Sequence, residues 1–114
     1  MDNCIFCKIA NKQIPSTIVY ENDRVVAFKD INPVAPVHVL IIPKTHIANV
    51  NDLNSDNAGV LVDIHLAAKE IAAQLGIAEK GFRLINNCGQ DAGQTVFHLH
   101  YHLIGGTCLG PKII

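Results

Sequence analysis

The chain contains the segment Phe97-His98-Leu99-His100-Tyr101-His102-Leu103-Ile104, in which three histidines alternate with apolar side chains. This period of two predicts a β-strand, because successive side chains of a strand point to opposite faces of the sheet. His98, His100 and His102 therefore share one face, where neighbouring rings lie roughly 6.5–7 Å apart. The segment thus places three rings that titrate near neutral pH in a row on a rigid element.

The flanking sequence predicts an α+β fold, with two helices and about five strands in a mostly antiparallel sheet. The β-rich runs lie at residues 18–20, 24–29, 37–43, 83–88 and 96–104. The first helix is expected at residues 4–12, before Pro15. The second is expected at residues 56–75, with Ser55 as its N-cap and Gly76 as its stop. Its apolar stripe consists of Leu61, Ile64, Ala68, Ile71 and Leu75.

Length, composition and charge limit the classes of protein to which the chain can belong. The 114 residues, 49% of them apolar, fit one domain, which we place at residues 4–114. A formal net charge of −1 argues against nucleic-acid or membrane binding through a basic surface, although one phosphate needs only a local site. No targeting segment is visible, and no apolar run is long enough to span a bilayer. We therefore expect a cytoplasmic protein without nucleic-acid or membrane partners.

Three interpretations of the histidine row compete. The histidines could be incidental on a half-exposed strand, but three of the six in the chain fall on one strand face. They could ligate a catalytic zinc ion, since alternating histidines on a strand can bind a metal. One imidazole could instead act as a nucleophile while its neighbours orient it and handle protons. The loop that precedes the row favours this third interpretation.

That loop has the composition of a phosphate-binding segment. Residues 86–95 read Asn-Asn-Cys-Gly-Gln-Asp-Ala-Gly-Gln-Thr. Gly89 and Gly93 let the backbone approach a ligand closely, and the amide and hydroxyl side chains are neutral hydrogen-bond donors. Such donors suit a phosphate that must enter, react and leave. The alternative is a plain surface loop, and the direct connection to the histidine row weighs against it.

The pattern His98-Leu-His100-Tyr-His102-Leu-Ile resembles the histidine-triad motif, His-φ-His-φ-His-φ-φ with φ apolar. The flanking Gly93-Gln94-Thr95-Val96-Phe97 and Gly105-Gly106 are similar to the Hint branch of that family, the purine nucleoside phosphoramidases. Further similarities to that branch lie at residues 27–33, 35–38 and 109–111. The related dinucleoside polyphosphate hydrolases usually follow the triad with a Pro-Arg type sequence, which Gly105-Gly106 does not match.

The resemblance implies a role for each matched residue. His100 would be the nucleophile that forms a nucleotidyl-histidine intermediate. His102 would contact the phosphate and the leaving group, and His38 would complete the histidine cluster. The nucleotide-binding residues would be Asn87, Gln94 and Thr95 at the α-phosphate, Asp30 at the ribose hydroxyls, and Ile5, Phe6, Ile9, Phe28 and Ile31 around the purine. For the apolar residues, Ile9 above all, ordinary packing in the core is the alternative.

The same resemblance implies a reaction and an assembly. Neutral His100 would attack the phosphorus in line, the amine would leave with a proton, and water would hydrolyse the phospho-imidazole. A backbone carbonyl would fix the His100 tautomer, and the chemistry would require no metal. The protein would be a homodimer whose sheets join. The alternatives are hydrolysis or transfer on dinucleoside polyphosphates or nucleotide sugars, and a non-catalytic nucleotide- or zinc-binding interaction protein.

Cys4-Ile-Phe-Cys7 has the spacing of a metal-binding pair. With His46 and His98 it forms a Cys2His2 set that resembles the structural zinc site of some bacterial histidine-triad proteins and of related uridylyltransferases. We therefore expect one structural zinc ion on these four residues. The alternative is two buried thiols that pack as small apolar groups. Of the remaining candidates, Cys88 and Cys108 are expected to be packing residues and His65 a surface residue.

Overall fold

The computed structural model describes residues 3–114, which form one five-stranded sheet and two helices. The strands are β1 (Ile18–Glu21), β2 (Val25–Lys29), β3 (Val37–Pro43), β4 (Phe82–Ile85) and β5 (Tyr101–Gly105). The helices are α1 (Ile5–Ala10) and α2 (Gly59–Gln74). The strand order β1-β2-β3-β5-β4, antiparallel at every pairing, confirms the predicted α+β class. Within residues 3–114, neither helix has the length and hydrophobicity that a membrane span needs.

The two helices cover opposite faces of the sheet, so the central strands are buried on both sides. The core beneath α2 contains Val25, Ala27, Val39, Ile41, Leu99 and Leu103 from the sheet side. The core beneath α1 contains Val26, Phe28, Leu40 and Ile42. Alternate side chains of β2 and β3 therefore enter different cores. The strand predicted at residues 37–43 is therefore present with those bounds, and it is buried on both faces.

Strand β5 begins at Tyr101, five residues later than the predicted start at residue 96. Its pairing with β3 stops as β3 approaches Pro43, which has no N–H to donate to a ladder. The Pro43 carbonyl instead accepts a hydrogen bond from Nε2 of His98, at 2.7 Å. The predicted alternation nevertheless holds through the irregular part, because Leu99 lies in the core beneath α2 while His98 contacts Phe6 on the opposite face.

Strand β4 is shorter than predicted and ends at Ile85 rather than at residue 88. At the next position, Nδ2 of Asn86 donates to the carbonyl oxygen of His100 at 2.9 Å. A side-chain hydrogen bond thus replaces the next step of the ladder. The segment that follows leaves the sheet as a loop containing a short 3-10 turn at Gln90–Ala92.

Helix α1 covers Ile5–Ala10 rather than residues 4–12. Cys4 is its N-cap, since Sγ accepts a hydrogen bond from the Cys7 N–H at 3.3 Å. The helix ends well before Pro15, because Lys12 adopts a left-handed φ of 63°.

Helix α2 begins at Gly59 rather than at residue 56, and Ser55 is not its cap. Asn54 organises the preceding turn instead, because its Oδ1 accepts from the N–H groups of Asp56 and Asn57 at 2.8 and 3.1 Å. Of the predicted stripe, Ile64, Ala68 and Ile71 are buried and Leu61 packs beside them. Leu75 was wrongly assigned to it: the helix ends at Gln74 and Leu75 is 39% exposed.

Candidate active site

A cavity of about 750 Å³ lies between α1, the segment that precedes β1, the end of β2 and the histidine row. Its volume falls within the range of about 300–1,000 Å³ that is usual for small-molecule sites. The apolar wall includes Phe6, Ile9, Phe28 and Leu40. The polar wall includes His100, His102, Asp30 and Thr95. The cavity therefore joins an apolar slot to a cluster of hydrogen-bonding groups.

A backbone carbonyl fixes the protonation of His100. Its Nδ1 lies 2.8 Å from the carbonyl oxygen of His98, which can only accept a hydrogen bond. Nδ1 therefore carries the ring proton of the neutral imidazole, and Nε2 keeps its lone pair. The ring is 6% exposed and packs edge-on against Phe6, with ring centroids 5.1 Å apart. His100 is thus held in one orientation with a nucleophilic nitrogen available.

A backbone amide fixes the tautomers of His38 and His102. The Val34 N–H donates to Nδ1 of His38 at 3.1 Å, so the proton of neutral His38 is on Nε2. That proton is donated to Nδ1 of His102, at 2.9 Å, which leaves the His102 proton on Nε2. Burial, followed by the neighbouring rings of His100 and His38, lowers the pKa of His102 to about 4. His102 is therefore a neutral hydrogen-bond donor at neutral pH.

Asp30 lies at the junction between the histidines and the cavity. Its Oδ1 accepts from the Asn32 N–H at 2.8 Å, which orders the loop after β2. Its Oδ2 lies 3.4 Å from Nε2 of His38. The carboxylate also lines the cavity, where it is placed to accept hydrogen bonds from hydroxyl groups of a ligand.

The loop at residues 86–95 approaches the cavity through Thr95, which lines it. Gly89 and Gly93 have φ values of 90° and 87°, a region that favours glycine, and this explains their place in the loop. Gln94 is 4% exposed: its Oε1 accepts from the Gly89 N–H, and its Nε2 donates to the carbonyls of Ala48 and Val96. The buried Gln94 side chain thus stabilises the conformation of the loop.

The Asn87 side chain also hydrogen-bonds within the loop in this structure. Its Nδ2 donates to the carbonyl of Ala92 at 2.8 Å. Asn87 is not among the groups that line the 750 Å³ cavity. An interaction of this side chain with a phosphate requires the contact with Ala92 to be exchanged.

The residues predicted to surround a purine all line the cavity, but they differ in burial. Phe6, Ile9 and Phe28 are buried, and the rings of Phe6 and Phe28 meet edge to face with centroids 5.5 Å apart. Ile5 is 47% exposed and Ile31 is 92% exposed. The first three therefore build the floor of the slot, while the last two stand at its rim.

The predicted metal ligands lie together beside the cavity. Nδ1 of His98 lies 3.3 Å from Sγ of Cys4 and 3.5 Å from Sγ of Cys7, and Nδ1 of His46 lies 3.3 Å from Sγ of Cys7. Burial, and then the hydrogen bond with Cys4, raises the pKa of the Cys7 thiol. Burial lowers the pKa of His98 to about 4, so its ring is neutral.

The donor set and spacing fit a zinc ion. Four ligand atoms of Cys4, Cys7, His46 and His98 all lie within 4.8 Å of one another. Zinc bonds of about 2.3 Å to sulfur and about 2.0–2.1 Å to nitrogen place tetrahedral sulfur and nitrogen ligands about 3.5 Å apart. The His98 proton is held on Nε2 by the Pro43 carbonyl, so Nδ1 offers its lone pair to the centre of the group. These residues could therefore hold zinc without any change of tautomer at His98.

The sequence is related to characterised and uncharacterised proteins along nearly its whole length. The family model described as "Scavenger mRNA decapping enzyme C-term binding" matches residues 3–112. The purine nucleoside phosphoramidase of Escherichia coli K12 is 48% identical over 112 residues, which cover 98% of this chain and 94% of that protein. Protein HitA of Neisseria gonorrhoeae is 48% identical over 105 residues, which cover 92% of this chain and 97% of that protein.

Solved structures agree with this relationship. A HIT family hydrolase from Clostridium thermocellum superimposes with a TM-score of 0.98 at 67% identity, covering 100% of this chain and 99% of that one. A histidine triad protein from Clostridium difficile gives a TM-score of 0.94 at 52% identity, covering 98% and 96%. The chain belongs to the histidine-triad (HIT) family.

In this histidine-triad protein, the three histidines of the row do not converge on one metal site. His98 faces the cysteines, whereas His102 faces His38 and Asp30. The ligand atoms of the latter three also lie within 4.8 Å of one another, but the Val34 amide keeps the proton of neutral His38 on Nε2. A metal at that nitrogen would move the proton to Nδ1, against the amide N–H. The structure therefore separates the triad into a metal-type ligand and two groups that face the cavity.

Several groups of the site carry no side-chain signal in the sequence. The carbonyl of His98 and the amide of Val34 set the tautomers, and backbone groups of this kind are visible only in three dimensions. Leu40 and Val96 also line the cavity and were not predicted to do so. For Leu40 a signal existed, because it lies two residues after His38 on a strand and so shares its face.

Proposed function

We propose that this histidine-triad protein is a hydrolase that cleaves purine nucleoside phosphoramidates, of the adenosine 5′-monophosphoramidate type, through a nucleotidyl intermediate on His100. The observation that carries the proposal is the hydrogen bond from Nδ1 of His100 to the His98 carbonyl. In the neutral ring it puts the proton on Nδ1 and the lone pair on Nε2, beside a cavity of suitable size. The 48% identity to a purine nucleoside phosphoramidase supports the choice of substrate.

The cavity supports one orientation of the nucleotide. The purine lies in the apolar slot formed by Phe6, Ile9 and Phe28. The ribose hydroxyls donate to Asp30, and the α-phosphate lies between His100 and Thr95. The Gln94 side chain hydrogen-bonds the backbone of Gly89, Ala48 and Val96. Gln94 therefore acts by positioning its neighbour Thr95.

The reaction then proceeds in two displacements. Nε2 of His100 attacks the phosphorus in line, the phosphorus–nitrogen bond breaks, and the amine leaves with a proton that reaches it through His102 Nε2–H or water. The hydrogen bond from Nδ1 to the His98 carbonyl stabilises the positive charge that develops on the His100 ring. Water then attacks the phosphorus and returns a proton to the group that protonated the amine, the bond to Nε2 breaks, and the nucleoside monophosphate is released.

Three further properties belong to the same proposal. Cys4, Cys7, His46 and His98 hold one structural zinc ion, which when bound fixes α1 to the segment before β5. The chain acts as a homodimer with a small purine nucleotide as its ligand. It works in the cytoplasm as a single domain at residues 4–114, and its four cysteines, none of them in a disulfide among residues 3–114, suit a reducing compartment.

A substrate panel tests the proposed activity. The purified protein is assayed with adenosine, guanosine and cytidine 5′-phosphoramidates, a diadenosine polyphosphate and a nucleotide sugar, with release of the nucleoside monophosphate as readout. We expect the highest kcat/KM with the two purine phosphoramidates. Faster cleavage of the diadenosine polyphosphate or the nucleotide sugar would contradict the proposal and favour those activities instead. Binding of AMP without turnover of any substrate would indicate a non-catalytic nucleotide-binding protein.

A further inference from the structure

The thiols of Cys4 and Cys7 lie close enough together to react with each other. Both Sγ atoms contact Nδ1 of His98, at 3.3 and 3.5 Å, and they lie within 4.8 Å of one another. The Cys7 N–H donates to Sγ of Cys4, which keeps Cys4 beside the first turn of α1. Cys-x-x-Cys pairs are the reactive groups of thiol–disulfide oxidoreductases. Movement of the two side chains is therefore sufficient to join them in a disulfide.

The two thiols differ in their access to a reagent. A cavity of about 390 Å³, separate from the purine slot, has Cys4 and His46 among its lining residues. Cys7 is not among these residues, and its Sγ lies behind the imidazole of His46, 3.3 Å from Nδ1. A small molecule that enters the cavity therefore meets Cys4 before Cys7. This order makes Cys4 the attacking thiol and Cys7 the resolving thiol.

We propose that Cys4 and Cys7 form a reversible modification site, at which a low-molecular-weight disulfide oxidises the pair. Sγ of Cys4 attacks one sulfur of the reagent, the sulfur–sulfur bond of the reagent breaks, and one half departs as a thiolate. Sγ of Cys7 then attacks Sγ of Cys4 and displaces the other half. The pair loses two electrons and the reagent gains them. The two departing thiolates take up protons from the cysteine thiols or from water.

The modification acts on the helix that carries the floor of the purine slot. Zinc binds thiolates, so oxidation removes two of the four ligands of the proposed metal site. Helix α1 then loses its link to His46 and His98, and a helix of six residues is marginal on its own. Phe6 and Ile9, which line the slot, lie on this helix. We therefore expect the oxidised protein to bind a nucleotide more weakly, a step that rests on the proposed function.

Treatment with hydroxyethyl disulfide, a small uncharged reagent, tests the inference. The wild type supplied with zinc, Cys4→Ser and the control Cys108→Ser are incubated with the reagent, which is then removed. Zinc release is measured with a colour-forming chelator and disulfide pairing by peptide mass spectrometry. The affinity for AMP is measured by calorimetry before treatment, after treatment and after reduction in the presence of zinc. Cys108 is exposed and lies outside the cluster, so its replacement removes a competing thiol but not the pair.

We expect the wild type and Cys108→Ser to form the Cys4–Cys7 disulfide, to release zinc and to bind AMP about tenfold more weakly, with recovery on reduction. Cys4→Ser lacks the attacking thiol, so the reagent should change its AMP affinity by less than about twofold, whatever its starting value. If Cys4→Ser does not fold, the disulfide map and the AMP affinities of the wild type decide.

Three results would overturn the inference: both thiols survive treatment, the disulfide joins other cysteines, or the Cys4–Cys7 disulfide forms while AMP affinity stays the same. In each of these cases AMP binding by the reduced protein still supports the proposed nucleotide site. A reduced wild type that does not bind AMP would instead contradict the proposed function. Zinc release and the disulfide map would then decide the thiol chemistry alone.

Discussion

His100, His102 and His38 differ in which ring nitrogen carries the proton, and backbone groups decide the difference. The His98 carbonyl draws the His100 proton to Nδ1, while the Val34 amide keeps the His38 proton on Nε2 and so directs the His102 proton to Nε2. One backbone acceptor thus leaves the lone pair of His100 on Nε2. One backbone donor, acting through His38, leaves an N–H at Nε2 of His102. These are the two functions that nucleophilic attack and leaving-group departure require.

Replacement of His100 should abolish turnover without unfolding the protein. We expect His100→Ala to lower kcat by about four orders of magnitude or more, as loss of a covalent nucleophile does in other enzymes. The matched control is His65→Ala, because His65 is an exposed histidine on α2. Circular dichroism checks that both variants are folded. A folded His100→Ala protein with near-normal kcat would rule out His100 as the nucleophile.

The pKa of His102 should be far below that of an ordinary histidine. Burial and the neighbouring rings lower it to about 4, so the folded protein binds fewer protons at His102 than the unfolded chain between about pH 4 and 6.5. This histidine's contribution to stability is therefore complete above about pH 6.5 and is lost as the pH falls toward 4. In an NMR titration, the His102 ring signals should stay constant from pH 8 to 5. A midpoint at or above 6.5 would contradict the proposed tautomer network.

The sequence predicted which side chains of the candidate site lie close together more reliably than it predicted their hydrogen-bond partners. The period of two was sufficient to put His98, His100 and His102 on one side of the chain, because alternation needs only an extended backbone. The sequence could not show that the Gln94 side chain faces the protein interior, because an amide in a polar loop can hydrogen-bond a ligand or a buried carbonyl equally well. The choice between them depends on a carbonyl at Ala48, 46 positions away.

At the scale of elements, α1 connects the proposed metal site to the purine slot. Cys4 caps the helix and Cys7 lies one turn on, so both thiols face His98. Phe6 and Ile9, on the same short helix, form the floor of the slot. A helix of six residues is marginal on its own, and a metal at its N-terminus would hold it against the sheet.

Loss of one thiolate should therefore remove zinc and stability together. Elemental analysis of the wild type should find about one zinc per chain, and Cys4→Ser should lose it, with Tm lowered by about 10 °C or more. The variant should keep a larger share of kcat than of its zinc, because none of the four ligand side chains is assigned to the chemistry and His98 takes part only through its backbone carbonyl. Cys108→Ser is the control, since Cys108 is exposed and lies outside the cluster. The prediction that Cys108 is a packing residue was wrong, because its side chain is exposed. A wild type that binds no zinc on reconstitution would contradict the assignment.

The strands and helices were predictable in kind and number but not at their ends. β3 is the exception: a continuous apolar run marks this strand from residue 37 to 43, because both of its faces enter a core. The ends depend on single side chains that replace backbone partners, as Asn86 does at β4 and Asn54 does before α2. Such replacements arise from the tertiary structure and leave no periodic signal.

At the scale of the whole molecule, the sheet ends at the edge strands β1 and β4, and one side of α2 is uncovered. Strand β4 is an edge strand, and the outer side of α2 exposes Val62 at 60% and Leu66 at 56%. His65, between them, meets the ring of Tyr101 on β5, with ring centroids 6.0 Å apart, so this side of the helix leans toward β5. An edge strand and a helix side with exposed apolar residues each suit association with a second copy of the chain.

The proposed homodimer is tested by sedimentation. At micromolar concentration, sedimentation equilibrium of the wild type should give a molar mass of twice the 12.4 kDa of one chain. Leu66→Lys should shift the protein to the monomer, because it places a charge in the apolar contact. Val50→Lys should not do so, since Val50 lies in a separate turn. Monomeric wild type, or a Leu66→Lys variant that remains dimeric, would contradict this interface.

The stereochemistry at phosphorus tests the central claim, a covalent nucleotidyl intermediate on His100, most directly. A phosphoramidate made chiral at its α-phosphorus by sulfur substitution is hydrolysed in isotopically labelled water, and the configuration of the released nucleotide is determined. Attack by His100 followed by attack by water gives two inversions, so the account predicts net retention of configuration, whether or not the intermediate accumulates. Net inversion would show that water attacks the substrate directly and would contradict the account.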